Sequence, residues 1–207
     1  MIRSHSWAPW LAVAVVCFGA FMGQLDASIV TLTFRPMERD FAAPLAAVQW
    51  VSLAYLLVLV ALLTPAGRIA DAIGRKLVYG YGFAVFTIGS AACAFAPSLG
   101  ALVGFRLVQA VGAAMLQANS VGLVTTSVPA GRMRLGLSIQ AAAQAIGLGL
   151  GPTLGGLLTQ TAGWRAVYWI NVPVGIVAMI AGRYLLPRTR ERSQRGRRSS
   201  PITTPSR

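Results

Sequence analysis

Two charged side chains fall inside long apolar stretches of this sequence. Asp26 lies in an otherwise uncharged run that begins near residue 9, and Arg106 lies in another that begins near residue 101. A charge in hydrocarbon costs several kcal/mol unless it is protonated, paired or hydrated. A carboxylate in such a place could exchange a proton or bind a cation, and a guanidinium could modulate it. Asp26 and Arg106 are therefore the first candidates for function.

Both residues also have a purely structural interpretation. Asp26 could make a polar contact inside a helix bundle, and Arg106 could extend its guanidinium to the nearby outer surface. From the helical rise, Asp26 lies roughly 10 Å and Arg106 roughly 8 Å below the same membrane surface. Since each charge is costly towards lipid, we expect both to face the interior and to approach each other.

Six apolar runs predict the helices that position these two residues. Each run is close to 20 residues long or longer, enough to cross a bilayer as a helix. We expect one six-helix transmembrane bundle over residues 1–187. The predicted spans are 9–33, 48–66, 77–96, 101–126, 136–161 and 166–186.

The composition is that of an integral membrane protein, with 56% hydrophobic and 11% charged residues. The net charge of +13 does not indicate nucleic-acid binding, because the arginines lie in short loops and in the C-terminal tail. Cys17 and Cys93 fall inside apolar runs, so neither a disulfide nor a metal site is expected. No catalytic Ser/His/Asp set or phosphate-binding loop is evident, so we expect neither an enzyme nor a cofactor.

Positive charge is concentrated on one side of the predicted bundle. It lies at Arg3, in the segment 67–76, at Arg132 and Arg134, and in residues 188–207, whereas the other loops are neutral or mixed. Cytoplasmic loops carry the excess of Lys and Arg. We therefore expect both termini in the cytoplasm and a basic, disordered tail, which either binds anionic lipid or is solvated without a role.

The segment 67–76 is expected to be a short inner loop between the second and third spans. Gly67 and Gly74 would permit a tight backbone at the two helix ends. Asp71 would lie just before the next helix, where a carboxylate suits the positive helix terminus. Arg75 and Lys76 would mark the cytoplasmic face.

The fifth predicted span carries a glycine-rich face. Gly147, Gly151 and Gly155 recur every four residues and share one side of the helix. Pro152 cannot donate its backbone hydrogen bond and is expected to bend the helix. With Gly156, this face would allow very close helix packing, which by itself requires no role in transport.

Several of these segments resemble motifs of the major facilitator superfamily. The order Gly…Ala-Asp-x-x-Gly-Arg-Lys in 67–76 resembles the loop between its helices 2 and 3, and 106–114 resembles its fourth-helix motif. The segments 25–30 and 169–175 resemble those of fourteen-helix drug:proton antiporters, and 147–156 resembles the fifth-helix motif of antiporters. Departures from the usual motifs are Thr31, Ile69, Ala72 and Ala110.

The resemblance implies an all-α N-terminal half built from two inverted three-helix repeats. It implies a cell-membrane protein that exports lipophilic, often cationic, compounds in exchange for protons. Asp26 would be the protonatable or cation-binding carboxylate, with Arg106 as its modulating charge. Asp71 and Arg75 would stabilise a closed inner gate, and 147–156 would form a seam against the second half.

Two hypotheses about function remain open at this point. In the first, the chain is a transporter half that works with a second copy of itself or with a separate partner half. In the second, it is a truncated or frameshifted membrane fragment without transport activity, since the composition changes abruptly where a seventh helix would begin. The substrate does not follow from the sequence.

Overall fold

The computed structural model describes residues 8–185, and within them six segments are long and apolar enough to cross a membrane. The predicted six-span helical architecture is therefore confirmed. Arg3 and the tail at 188–207 lie outside the described residues. The helices are α1 (Ala8–Ile29), α2 (Phe34–Asp40), α3 (Leu45–Val48), α4 (Trp50–Ile73), α5 (Arg75–Ala94), α6 (Leu99–Ser127), α7 (Met133–Ala162), α8 (Ala166–Trp169) and α9 (Asn171–Leu185).

The first span is longer than its apolar run. A 3-10 turn over Val30–Thr33 joins α1 to α2, so the chain stays helical to Asp40. Pro36 does not interrupt it, because it lies in the first turn of α2, where its missing N–H is not needed. Residues 34–40, which lie between the first two predicted spans, are therefore helical.

The predicted inner loop at 67–76 is wrong in its extent. Helix α4 continues beyond Gly67 to Ile73, and α5 begins at Arg75, so Gly74 alone separates the two helices. Gly74 has φ +110°, a backbone conformation that residues other than glycine rarely adopt. Charge in this segment therefore does not mark the end of the helix.

The packing pairs each helix of one three-helix unit with a helix of the other. The first span, α1, packs on α7, and the fourth span, α6, packs on α4. Exchanging the two units converts one of these pairs into the other, as two related repeats require. Helices α1 and α6 also contact each other and form the centre of the bundle, with α5 and α9 packed beside them.

Glycines permit a close crossing between α5 and α6. A Cβ atom on Gly112 would collide with the backbone nitrogen of Phe86 and would lie 2.8 Å from the carbonyl oxygen of Gly82. Next to this crossing, the buried rings of Tyr79 and Phe83 stack edge to face with their centroids 5.1 Å apart. The crossing of Gly112 on Phe86 fixes the depth and rotation of α6 relative to α5 and so positions Arg106.

The outer ends of the two units are joined at Asp40. Its Oδ2 atom accepts a hydrogen bond from the indole Nε1 of Trp164 at 3.0 Å and another from Nη1 of Arg165 at 2.8 Å. Trp164 also packs on Phe41, with the ring centroids 5.4 Å apart. The connection before α8 is therefore tied to the end of α2.

Candidate functional site

Asp26 and Arg106 form an ion pair in the centre of the bundle. Nη1 of Arg106 donates to Oδ2 of Asp26 at 2.6 Å, and both side chains are 0% exposed. The prediction that these two charges approach each other is confirmed. Such a pair, removed from water, is stable only while both partners are present.

Two amide side chains complete the surroundings of the carboxylate. Nε2 of Gln109 donates to Oδ1 of Asp26 at 2.9 Å, and Nδ2 of Asn171 donates to the same oxygen at 2.8 Å. A carboxylate only accepts hydrogen bonds, so each amide must present its nitrogen. Asp26 thus accepts three hydrogen bonds, all of them strengthened by its charge.

Besides Asp26, Arg106 contacts residues of its own helix α6 and of two other helices, α4 and α8. Its Nη1 donates to Oε1 of Gln109 at 2.8 Å, and its Nε donates to the carbonyl of Val51 at 3.2 Å. The guanidinium carbon lies 4.0 Å from the ring centre of Tyr55 and 5.7 Å from that of Tyr168. Both rings are fully buried, so they replace water around the cation.

The hydrogen bonds continue from Asn171 into α5. Nδ2 of Asn171 also donates to Oγ of Ser90 at 3.2 Å, and Ser90 donates to the carbonyl of Tyr168 at 3.0 Å. We call Asp26, Ser90, Arg106, Gln109 and Asn171 the Asp26 network. It connects α1, α5, α6 and α9, and in this conformation it is closed to solvent because every member is buried.

The residues of the predicted inner gate lie at one end of the bundle, around the turn between α4 and α5. Arg75 contacts Oδ1 of Asp71 with Nη2 at 2.9 Å and with Nε at 3.0 Å. Its guanidinium lies against Gly122 of α6, where a Cβ atom would collide with it. Lys76 donates to the carbonyl of Arg183 at 2.9 Å. These contacts tie the turn at Gly74 to the inner ends of α6 and α9.

The glycine face of α7 packs on α1. A Cβ atom on Gly151 would collide with Oγ of Ser28, and one on Gly155 would lie 2.6 Å from the carbonyl oxygen of Ile29. Gly147 lies equally close to α1, and its carbonyl accepts a hydrogen bond from Ser28 at 3.4 Å. The prediction that this face meets a second half is wrong for these three glycines, because α1 of the same chain covers them.

The other members of the α7 motif point elsewhere. Pro152 is exposed, and a Cβ atom on Gly149 would meet nothing within 4 Å. A Cβ atom on Gly156 would be in ordinary contact with Leu32, at 3.5 Å. The motif therefore combines a face buried against α1 with an exposed face.

Sequence reasoning missed Gln109 and Asn171. For Gln109 a signal existed, because it follows Arg106 by three residues and so lies on the same side of the helix. Asn171 lies at the start of an apolar helix. Asparagine is common at that position in any helix, so its presence there does not single it out. Its contact with Asp26 depends on how two distant helices are rotated, which no local pattern reports.

Comparisons with known proteins give a consistent result. The sequence model of the Major Facilitator Superfamily matches residues 16–206. The chain is 36% identical, over 86% of its length, to the riboflavin transporter RibZ of Clostridioides difficile. It is 36% identical over 98% of its length to the tetracenomycin C resistance and export protein of Streptomyces glaucescens. It is 34% identical over 88% of its length to a methylenomycin A resistance protein of Streptomyces coelicolor.

The alignments cover only part of each relative. They span 39%, 37% and 39% of the three relatives' lengths. The six membrane-spanning helices described above are the number expected for one half of a major facilitator fold, so the predicted fold class is confirmed. Since the family model matches most of the sequence, this chain belongs to the major facilitator superfamily.

Proposed function

We propose that the chain is one six-helix half of a proton-coupled exporter of lipophilic or cationic compounds, with Asp26 as the group that carries the proton. The observation that carries the proposal is the ion pair of Asp26 with Arg106, buried at the centre of the bundle. Two of the relatives above are resistance proteins, one of them also named for export, which supports the export of small molecules.

A buried carboxylate paired with a guanidinium suits proton exchange because its ionised and protonated forms differ strongly in free energy. When ionised, Asp26 balances the charge of Arg106 and accepts three hydrogen bonds. When protonated, it leaves Arg106 as an uncompensated buried charge, which is strongly unfavourable in this closed arrangement. Uptake of a proton would therefore favour a conformation in which water or a substrate group reaches the site.

The proposal includes a second half that covers part of this one. Helices α4 and α7 are the least buried of the spanning helices, and the chain matches less than two fifths of its relatives' lengths. A second copy or a separate half would complete the transport path, with lipid on the remaining surface. In this assembly the contact of Asp71 with Arg75 would hold the inner gate closed, and both termini would be cytoplasmic.

Infrared difference spectroscopy tests the proton-carrying role. The purified chain in lipid nanodiscs is titrated from mildly alkaline to mildly acidic pH, and the carboxylic C=O band is recorded. We expect a band that appears on acidification and is absent in Asp26→Asn, but is retained in the matched surface variant Asp40→Asn. A band unaffected by Asp26→Asn, or no band at all, would contradict the proposal.

A further inference from the structure

Asn171 links the carboxylate of Asp26 to the junction between α8 and α9. It is the first residue of α9, one residue after the break that ends α8. Its single nitrogen atom Nδ2 donates both to Asp26, at 2.8 Å, and to Ser90, at 3.2 Å. Ser90 in turn donates to the carbonyl of Tyr168 in α8. Both sides of the α8–α9 junction are therefore tied to the Asp26 network.

The two oxygens of Asp26 are not equivalent as proton acceptors. Oδ2 faces Nη1 of Arg106, and arginine remains protonated in proteins. A proton taken up by Asp26 must therefore reside on Oδ1, which the N–H groups of Gln109 and Asn171 now face. The new O–H group is a donor and requires an acceptor, so one of the two amides has to turn.

The contacts decide which amide turns. The oxygen of Gln109 accepts from Arg106 at 2.8 Å, so turning this amide would place its nitrogen against the cation. Asn171 has no such constraint, because its second partner is the hydroxyl of Ser90, which can either accept or donate. Asn171 is the amide free to respond.

Other titratable groups face Asp26 from four elements. Around it lie Arg106 from α6, Tyr55 from α4, Tyr168 from α8 and Cys93 from α5. Arginine stays charged, whereas tyrosine and thiol side chains are ordinarily neutral at pH values below about 8.

We propose that Asn171 senses the protonation state of Asp26 and transmits it to the junction of α8 and α9; this rests on the proposed function of Asp26. When water reaches the site, a hydronium ion transfers its proton to Oδ1 and leaves as water, and the hydrogen bond from Nδ2 of Asn171 to that oxygen breaks. The amide turns, and its oxygen accepts from the new O–H group. Ser90 then turns its hydroxyl from the carbonyl of Tyr168 to the same amide oxygen, so α8 loses this hydrogen bond to α5.

The experiment measures the movement of α9 relative to α5 together with the protonation of Asp26. Spin labels are attached to cysteines introduced at the exposed positions Ile88 of α5 and Val177 of α9, since the native Cys17 and Cys93 are buried. Electron–electron double resonance then gives the distance between the labels at each pH. The carboxylic band of Asp26 is recorded by infrared spectroscopy on the same samples.

We expect the distance to change over the pH range in which the Asp26 band appears. In Asn171→Leu, which keeps the branched shape of the side chain and removes the amide, the band should remain and the distance change should be lost. Asn119→Leu is the matched control, because Asn119 is also buried but bonds only within α6, to the carbonyl of Met115. It should behave as the unmodified chain.

Two results would overturn the proposal. One is a distance change in Asn171→Leu that follows the band as before, and the other is an unmodified chain in which the band appears without any distance change. If Asn171→Leu does not fold, Ser90→Ala replaces it and should also lose the distance change. Absence of the band in the unmodified chain would instead contradict the proton-carrying role of Asp26, and this proposal with it.

Discussion

Asp26 and Arg106 behave as one unit, because removing either leaves the other charged and buried. The carboxylate has exchanged water for three protein donors. The guanidinium has exchanged it for three acceptors, on Asp26, Gln109 and Val51, and for two aromatic rings. Desolvation of such a pair offsets much of the attraction between the charges. The pair is therefore weak evidence of stability and stronger evidence of a role in which one charge changes.

Arg106→Ala is expected to destabilise the bundle by about 3–5 kcal/mol, because Asp26 would remain as an unpaired buried charge. The double variant Asp26→Leu/Arg106→Met should recover most of this loss, since a packed apolar pair can replace a buried ion pair. Denaturant titration in detergent micelles measures both. Arg165→Ala is the control, because its pair with Asp40 is exposed and should contribute about 0–1 kcal/mol. Equal losses for the two arginine variants would contradict this account.

The depth of the two charges could be predicted from sequence, but their full surroundings could not. Counting residues from each helix end places Asp26 and Arg106 at similar depth, and their cost towards lipid turns both inward. Gln109 and Asn171 are uncharged, so no comparable penalty fixes their direction. Their contacts follow from the rotation of α6 and α9, which glycine crossings such as that of Gly112 on Phe86 determine.

At the level of elements, the turn between α4 and α5 shows that a charge pattern does not predict where a helix ends. Arg68 and Asp71 are the first charges after an apolar run, yet the helix continues through them to Ile73. Helix ends depend on backbone conformation, and here the decisive residue is Gly74. The sequence predicted that Gly67 and Gly74 would each end a helix. In the structure Gly74 separates α4 from α5, whereas Gly67 lies inside α4.

Gly74→Ala should destabilise the chain by about 1–3 kcal/mol, because its φ of +110° is unfavourable for any side chain. Gly67→Ala should instead stabilise it by about 0.5–1 kcal/mol, since Gly67 lies inside α4 with nothing within 4 Å of an added Cβ atom. Thermal unfolding in the same detergent compares the two. A destabilising Gly67→Ala would show that this glycine has a packing role after all.

The α7 face leads to a second comparison of paired glycines. Gly151→Leu should prevent close packing of α7 on α1, because even a Cβ atom there collides with Ser28. Gly149→Leu should have little effect, because that position is open. Size-exclusion chromatography and tryptophan fluorescence report the amount of folded protein. If both variants fold equally well, α7 does not pack on α1 through this face.

At the scale of the whole molecule, the orientation in the membrane can be tested by cysteine labelling. Cysteines at Ser98 and Ala72, both exposed, lie beyond opposite ends of α5. Since the inner side carries the arginines, Ala72→Cys should react only from the cytoplasm and Ser98→Cys only from outside. Ser193 would serve equally as an inner site by the sequence pattern but lies outside the described residues. Reaction of both cysteines from outside would contradict the proposed orientation.

These 207 residues alone are not expected to move a cationic dye against a proton gradient, because the transport path is proposed to need a second half. Proteoliposomes with an imposed pH gradient test this, with dye accumulation as the measurement. The variant Asp26→Asn is the control for leakage. Proton-driven accumulation that Asp26→Asn abolishes would show that two copies of the chain are sufficient.

The buried ion pair also has a consequence for biosynthesis. Arg106 follows Asp26 by 80 residues, and ribosomes add about 5–20 residues per second, so roughly 4–16 s separate the synthesis of the two. During this time the carboxylate of the nascent first span has none of its partners, and exposing it to lipid would be costly. We therefore expect the first span to wait in a protonated form or beside the insertion machinery until the fourth span arrives.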